Sequence, residues 1–373
     1  MAGIYIHIPY CAKKCIYCDF YSIGARNAPW KDYVSALLRE LHMRIGELRG
    51  EKVTTIYIGG GTPSLMPQAD FRRLAAALRD VAPEVEEFTV EVNPDDVSAA
   101  LVDLYKECGI SRVSMGVQSF DDAELKMVRR RHTSAQALEA YALLRGIGNV
   151  SIDLIFGLPG QTPESWERSL ARAIALRPEH ISAYSLMWEE GTPLALMRRQ
   201  GRLSELPEGW SLAMYSALTE VLEKAGYVHY EISNYSLPGR ESRHNSSYWE
   251  GTPYLGLGAG AHSYDGHCQR RSNPCDAAAF IRHYSDSNPG PFFITEELSR
   301  EEIREEYVMT RLRTAAGIDV EEYSRLFGRE ALGQLLASAE PHLRRGHLSE
   351  SGTHIRLSRE AVMMLDSVTV DLL

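Results

Sequence analysis

The sequence predicts an α/β protein built on a parallel sheet, and three observations carry that expectation. Short β-branched runs alternate with longer amphipathic stretches from the start of the chain to about residue 190. Each run gives way to a polar or glycine-rich loop. Repetition of strand, helix and strand implies parallel pairing, because parallel neighbours need a crossover between them. About six such units form either an open doubly wound sheet or a partial barrel, and both gather functional side chains where strands end and helices begin.

Strands are read in order at Ile4 to Ile8, Val53 to Ile58, Phe88 to Val92, Arg112 to Gly116, Val150 to Phe156 and Ile181 to Leu186. Between the first two, Asp32 to Leu41 places its apolar residues at helical spacing. A second region, from about Thr192 to Pro291, mixes a helix over Glu208 to Ala225 with aromatic, glycine-rich and proline-rich loops. From Thr295 the chain turns helical, closing with Thr353 to Ser358 and a final helix. That tail reads as a small helical domain with a β-hairpin, for which a winged-helix arrangement is one option. Three regions are expected: 1–190, 191–294 and 295–373.

A chain of 373 residues, 44% hydrophobic and 24% charged, has ample material for a sizeable core. Its formal charge of -10 disfavours broad attraction to nucleic acid or anionic lipid, and the acidic segment Glu296 to Glu306 argues against a DNA-reading tail. No apolar run is long enough to span a membrane, and the amino terminus lacks the basic, apolar and small-residue order of a secretory leader. A cytoplasmic protein with small-molecule or protein partners is expected. Half of the six cysteines fall within eight positions, which suits a metal or redox loop in a reducing compartment better than a disulfide framework.

Chemistry is then read off the strand ends. Cys11, Cys15 and Cys18 follow the first strand with three and then two residues between them. Structural zinc closes a tetrahedron with a fourth Cys or His, and no second pair follows at finger spacing. Three thiolates on a four-iron cluster leave one iron open for a substrate or cofactor; three reduced cysteines without metal are the bland alternative. Gly59-Gly60-Gly61-Thr62-Pro63 after the second strand would let backbone atoms approach a ligand, although such a run is commonly only a turn. Glu91 at the third strand end could accept from an amine or ribose, Gln118 and Asp153 extend the same rim, and Arg130 could hold a carboxylate bidentately. In Arg243-His244-Asn245-Ser246-Ser247-Tyr248-Trp249, an imidazole and two aromatic faces suit an axial iron bond and stacking on a flat macrocycle, while a hydrogen-bonded core histidine is the ordinary alternative. Leu255-Gly256-Leu257-Gly258-Ala259-Gly260-Ala261-His262 lacks the setting of a dinucleotide loop, and Cys108, Cys268 and Cys275 have no ligand spacing.

The CxxxCxxC loop with its glycine triplet resembles the radical S-adenosylmethionine enzymes, in which the cofactor's methionyl amine and carboxylate chelate the open iron. Together with Tyr5-Ile6-His7-Ile8-Pro9, Ser114-Met115-Gly116-Val117-Gln118 and Ile152 to Pro159, it is similar over essentially the whole chain to the oxygen-independent coproporphyrinogen III oxidases and their relatives. The resemblance implies a partial (β/α)6 barrel with a smaller, mostly helical C-terminal domain, a [4Fe-4S] cluster on the three cysteines, and S-adenosylmethionine. It assigns Tyr5, Gly60, Glu91 and His262 to the cofactor nearest the cluster. Tyr17, Gly61, Thr62, Gln118, Arg130, Asp153 and Met187 match a second cofactor site of the oxidases. Two departures tell against oxidase activity: Phe20 stands where the oxidases carry a further cysteine, and the chain begins only four residues before Tyr5. HNxxYW resembles instead a signature of haem chaperones on the oxidase scaffold. It implies haem near His244, Tyr248 and Trp249, delivery to a haem-accepting protein such as a respiratory one, and room for a homodimer. The alternative is oxidative decarboxylation of porphyrinogen propionates.

Overall fold

Apolar and polar residues alternate along every central strand, and this alternation sorts the two faces of the sheet. In the computed structural model, which describes residues 1–207 and 209–373, the six expected strands form as β1 (Ala2–Ile8), β2 (Val53–Gly60), β3 (Glu87–Val92), β4 (Arg112–Gln118), β5 (Val150–Phe156) and β6 (His180–Ser185). All are parallel to their neighbours, in sequence order.

One face carries Ile4, Ile6, Ile8, Ile56, Ile58, Val90, Val113, Met115, Ile152 and Leu154, all essentially inaccessible. Helices Trp30–Arg44, Gln68–Val81, Ala99–Glu107, Ser134–Leu144 and Pro163–Leu176 bring Tyr33, Leu37, Phe71, Leu74, Tyr105, Tyr141 and Trp166 into the same apolar core. Each fully buried aliphatic or aromatic side chain contributes about 1.5–3 kcal/mol relative to exposure. Local chemistry starts these helices: Thr162 accepts from Ser165 N at 3.2 Å, and Pro163 occupies the first helical position. The helices therefore cover one face, and the opposite face is polar: Tyr5, His7, Thr55, Tyr57, Glu87, Glu91, Arg112, Ser114, Asp153, His180 and Ser182 alternate with the core residues along the strands.

The region after β6 contributes more sheet than its loop-like sequence suggests. Tyr254–Leu257 adds a seventh parallel strand beside β1, and His262–Tyr264, Gln269–Ser272 and Ile294–Glu297 continue antiparallel from it. At the other end Asn234–Ser236 and Val228–Glu231 pair antiparallel next to β6, which completes twelve strands. These strands are only three or four residues long, and glycine-containing loops separate several of them, so no run of alternation marks them. Gly256 sits inside Tyr254–Leu257, where a side chain would strike the His262 carbonyl. The glycine-rich segment turns back into an antiparallel strand instead of opening a helix. The helix of this region runs Trp210–Lys224; Glu208 lies outside the described residues.

Beyond the sheet come helix Arg300–Leu312, strand Ile318–Asp319, helices Val320–Phe327 and Arg329–Arg344, and a hairpin of Leu348–Ser351 and His354–Leu357, then helix Leu365–Leu372. That order accommodates the winged-helix option. A separate apolar cluster joins Val308, Leu312, Tyr323, Leu335, Leu348, Ile355, Val368 and Leu372. Among the described residues, no helix is long and apolar enough to cross a membrane.

Candidate cofactor site

The cysteine loop leaves β1 and is clamped at its base. Tyr10 and Cys11 pair parallel with Ile23 and Gly24, and Ala25 N donates to Cys11 O at 2.8 Å. Its middle is anchored by Ile16, buried with Val128, Ile155, Leu158 and Leu194, and by Leu194 N donating to Ile16 O at 2.9 Å. Cys11, Cys15 and Cys18 are thereby held half-buried as free thiols. Burial holds the Cys11 thiol above its ordinary range and pushes Cys18 up to about 11, so a bound cation would have to displace protons. Among the described residues no three His, Cys, Asp or Glu side chains converge on a single ion. Three free thiols on one loop are the donor set that a four-iron cluster with one open iron would take.

The glycine triplet packs against this loop so tightly that no side chain fits. A Cβ at Gly61 would lie 2.8 Å from the carbonyls of both Ile8 and Tyr10. At Gly60, whose φ is +109°, it would lie 2.6 Å from the His7 ring. At Gly59 it would meet Glu91 Oε1 and the Tyr57 ring, each at 2.8 Å. Thr62 follows, donating from Oγ1 to Cys11 Sγ at 3.3 Å. Through Thr62 the bare backbone adjoins Cys11, which suits a cofactor gripped by its polar end beside a cluster.

Glu91 is fixed from two sides: Tyr57 Oη donates to Oε1 at 2.9 Å and Gly60 N to Oε2 at 3.1 Å. Burial, reinforced by Asp153, lifts its carboxyl from 4.5 to about 7 despite these donors. Burial likewise raises Asp153, which accepts from Ser114 Oγ at 2.8 Å and Ser151 Oγ at 3.1 Å. Half-buried carboxylates poised to gain from an added positive charge are what an amine-bearing cofactor needs. Tyr5 shares the inner face, with its hydroxyl 3.1 Å from His7 Nδ1 and its ring 6.1 Å from that of Tyr57.

Arg130 joins the rim to the cysteines. It donates to Asn93 Oδ1 at 2.7 Å, to the Gly116 carbonyl and, through Nη1, to Cys15 Sγ at 3.5 Å. Tyr17, held protonated by burial, lies in the electrostatic reach of Arg130 and Cys15. Gln118 adopts φ +70°, a left-handed backbone that disfavours most side chains. Met187 is exposed in the loop after β6, and His262 is exposed at the head of its strand.

The HNxxYW residues lie elsewhere. Helix Arg243–Trp249 closes the other end of the inner face, where the carboxylate of Glu87 accepts from the backbone N–H groups of Arg243 and His244, both at 3.0 Å. His244 is wholly buried with both ring nitrogens engaged, Nδ1 2.8 Å from Thr55 Oγ1 and Nε2 2.9 Å from Tyr248 Oη. Burial, then the charge of Arg112, lowers its pKa to about 3, so the ring is neutral. An iron bond to His244 requires one of these contacts to open. From Thr55 to Gly60 the strand rises roughly 16 Å, and the Tyr57 ring, stacked on His244 at 5.2 Å, fills the space between the motif and Gly59. Trp249 is half-buried, with the Arg313 guanidinium 4.9 Å above its ring.

Sequence reasoning missed Tyr57, Asn93 and Arg112. Asn93 sits two residues after Glu91 and offered a signal; Tyr57 and Arg112 read as ordinary strand residues. Arg112 is fully buried on the inner face, its Nε and Nη1 unpartnered among the described residues, and its charge counters the rise in Glu91 and Asp153.

Comparison with known proteins adds to this geometry. The family described as "Radical SAM superfamily" matches residues 5–173, and "HemN C-terminal domain" matches residues 298–364. The "Heme chaperone HemW" of Bacillus subtilis is 34% identical, covering 99% of this chain and 98% of that protein. The protein of the same name from Lactococcus lactis is 37% identical over 87% and 84%. Among solved structures, the Escherichia coli coproporphyrinogen III oxidase HemN, described as a radical SAM enzyme, aligns with a TM-score of 0.83 at 22% identity, covering 100% of this chain and 89% of that one. That last likeness is one of fold.

Proposed function

The chain belongs to the radical S-adenosylmethionine superfamily, in the HemN-like family close to HemW, and on that premise we propose that it is a haem chaperone. The observation that carries this reading is the similarity, end to end, to chains named as heme chaperones. In it, Cys11, Cys15 and Cys18 hold a [4Fe-4S] cluster with one open iron. S-adenosylmethionine would lie against Gly60, with Glu91 facing its amine and Tyr5 and His262 beside it; Tyr17, Gly61, Thr62, Gln118, Arg130, Asp153 and Met187 would line the second cofactor site of the oxidases. When bound, the cluster supplies a redox-active iron and the cofactor a reactive sulfonium. This chain's residues would position both groups.

Haem is assigned to the motif helix, with Tyr248 and Trp249 as stacking faces and His244 as the iron ligand once its contact to Thr55 or Tyr248 opens. Release to a haem-accepting protein, for example a respiratory one, requires that the acceptor's presence lower haem affinity. The cytoplasm is the proposed compartment, and a homodimer the proposed assembly.

The fold-level likeness to HemN favours a second reading, oxidative decarboxylation of coproporphyrinogen III. Phe20, exposed beside the cysteine loop where the oxidases have a thiol, weighs against it. The deciding experiment is anaerobic reconstitution with iron and sulfide, followed by separate incubation with haem and with coproporphyrinogen III. A stable haem complex without decarboxylation is expected. Decarboxylated product would overturn the chaperone reading, and a haem complex indifferent to His244→Ala would remove the proposed iron ligand.

A further inference from the structure

Glu91 receives two hydrogen bonds among the described residues, one from a backbone amide and one from Tyr57 Oη. The backbone donor cannot turn, so the side-chain donor decides whether the carboxylate holds one orientation. Tyr57 itself has little freedom. Its ring stacks on His244 with centroids 5.2 Å apart and planes 26° from parallel, and it faces Tyr5 at 6.1 Å and 29°. Burial keeps its phenol protonated and hence a donor.

His244 is the fixed partner of that stack. Its imidazole is tied to Thr55 and Tyr248, and its backbone N–H to Glu87. Thr55 and Tyr57 are two residues apart on β2, so they point to the same face and meet the same ring. A continuous series of contacts thus runs from the motif helix through His244 and Tyr57 to Glu91.

We propose that His244 and Tyr57 are positioning residues, through which the HNxxYW helix sets the orientation of Glu91 and so the affinity for S-adenosylmethionine. This rests on the reading of Glu91 as the carboxylate that faces the cofactor's amine. It gives the motif histidine a role in the haem-free protein, beyond any bond to iron. A hydrogen bond to a charged group is strong enough that losing it weakens cofactor binding about tenfold or more.

The test uses the full chain, anaerobically reconstituted with iron and sulfide, and reads S-adenosylmethionine binding by equilibrium dialysis. The shift in the electron paramagnetic resonance spectrum of the reduced cluster on adding the cofactor is a second readout. Tyr57→Phe, which keeps the stacked ring and removes only the donor, is expected to bind about tenfold more weakly with unchanged iron content and a single cooperative melting transition. His244→Gln, which can still bond Thr55 and Tyr248 but cannot stack, should weaken binding in the parent and add nothing in the Tyr57→Phe background. Parent-like affinity in Tyr57→Phe, or additive losses in the double variant, would overturn the proposal. Glu91→Gln separates the two levels: if it leaves affinity unchanged, the reading of Glu91 fails and the proposal with it. If it weakens binding while Tyr57→Phe does not, the positioning role alone fails. No haem enters either readout, so the chaperone assignment is judged separately.

Discussion

Replacing Glu91 by Gln should stabilise the empty protein at high pH while removing affinity for the cofactor. The carboxyl binds its proton more tightly in the fold than in the unfolded chain, at about 7 against 4.5. Its contribution to stability is therefore complete below about pH 4.5 and is lost as pH rises through 7. A difference of that size corresponds to about 3 kcal/mol, and partial solvent access reduces it to about 2 kcal/mol. Asp153, raised as well by burial, is relieved in the same direction when its neighbour's charge goes. Glutamine keeps an acceptor for Tyr57 but turns an N–H toward Gly60 N, a cost that does not vary with pH. The clean quantity is thus a difference of differences: melting temperature of variant minus parent, at pH 8 and at pH 5, on cluster-free protein. We expect the variant to gain a few degrees at pH 8 relative to its value at pH 5. An equal offset at both pH values would refute the argument that a half-buried, raised carboxylate stores this free energy for a cationic partner.

Other consequences are local. Cys15→Ala should abolish the brown absorption of the reconstituted chain, and a full cluster in that variant would refute the ligand assignment. Gly61→Ala drives a methyl group into two carbonyls at 2.8 Å, so it should cost about 1–3 kcal/mol and lower cluster yield; parent-like melting and iron content would show that the triplet is only a turn. Trp166→Ala empties a fully buried site and strands the Met214 carbonyl that its indole N–H reaches at 3.0 Å. A loss of about 3–5 kcal/mol is expected by denaturant titration, with cofactor affinity per folded molecule unchanged.

Much of the rim was legible because its parts have chemical signatures of their own. The strands announce themselves by apolar alternation, and the residue type after each strand end is a functional statement in this class of fold. The cysteine spacing and the glycine triplet could be connected to one site before any coordinates, because consecutive parallel strands place consecutive loops side by side. Tyr254–Leu257 escaped notice because four residues containing a glycine carry no period. Its partners, β1 and His262–Tyr264, are far away or follow only after a turn.

Residue order alone was enough for the class of fold and for the set of groups available at the strand ends. These depend on local pattern, and local pattern is read directly. The state of each group emerged only once the chain was folded. Glu91 is raised by burial and aimed by a tyrosine 34 residues away. His244, in sequence a free imidazole beside two aromatic rings, is a neutral, doubly bonded side chain at the far end of the same face. Burial and hydrogen-bond partners arise from segments remote in the chain, so no reading of neighbouring residues could have supplied them.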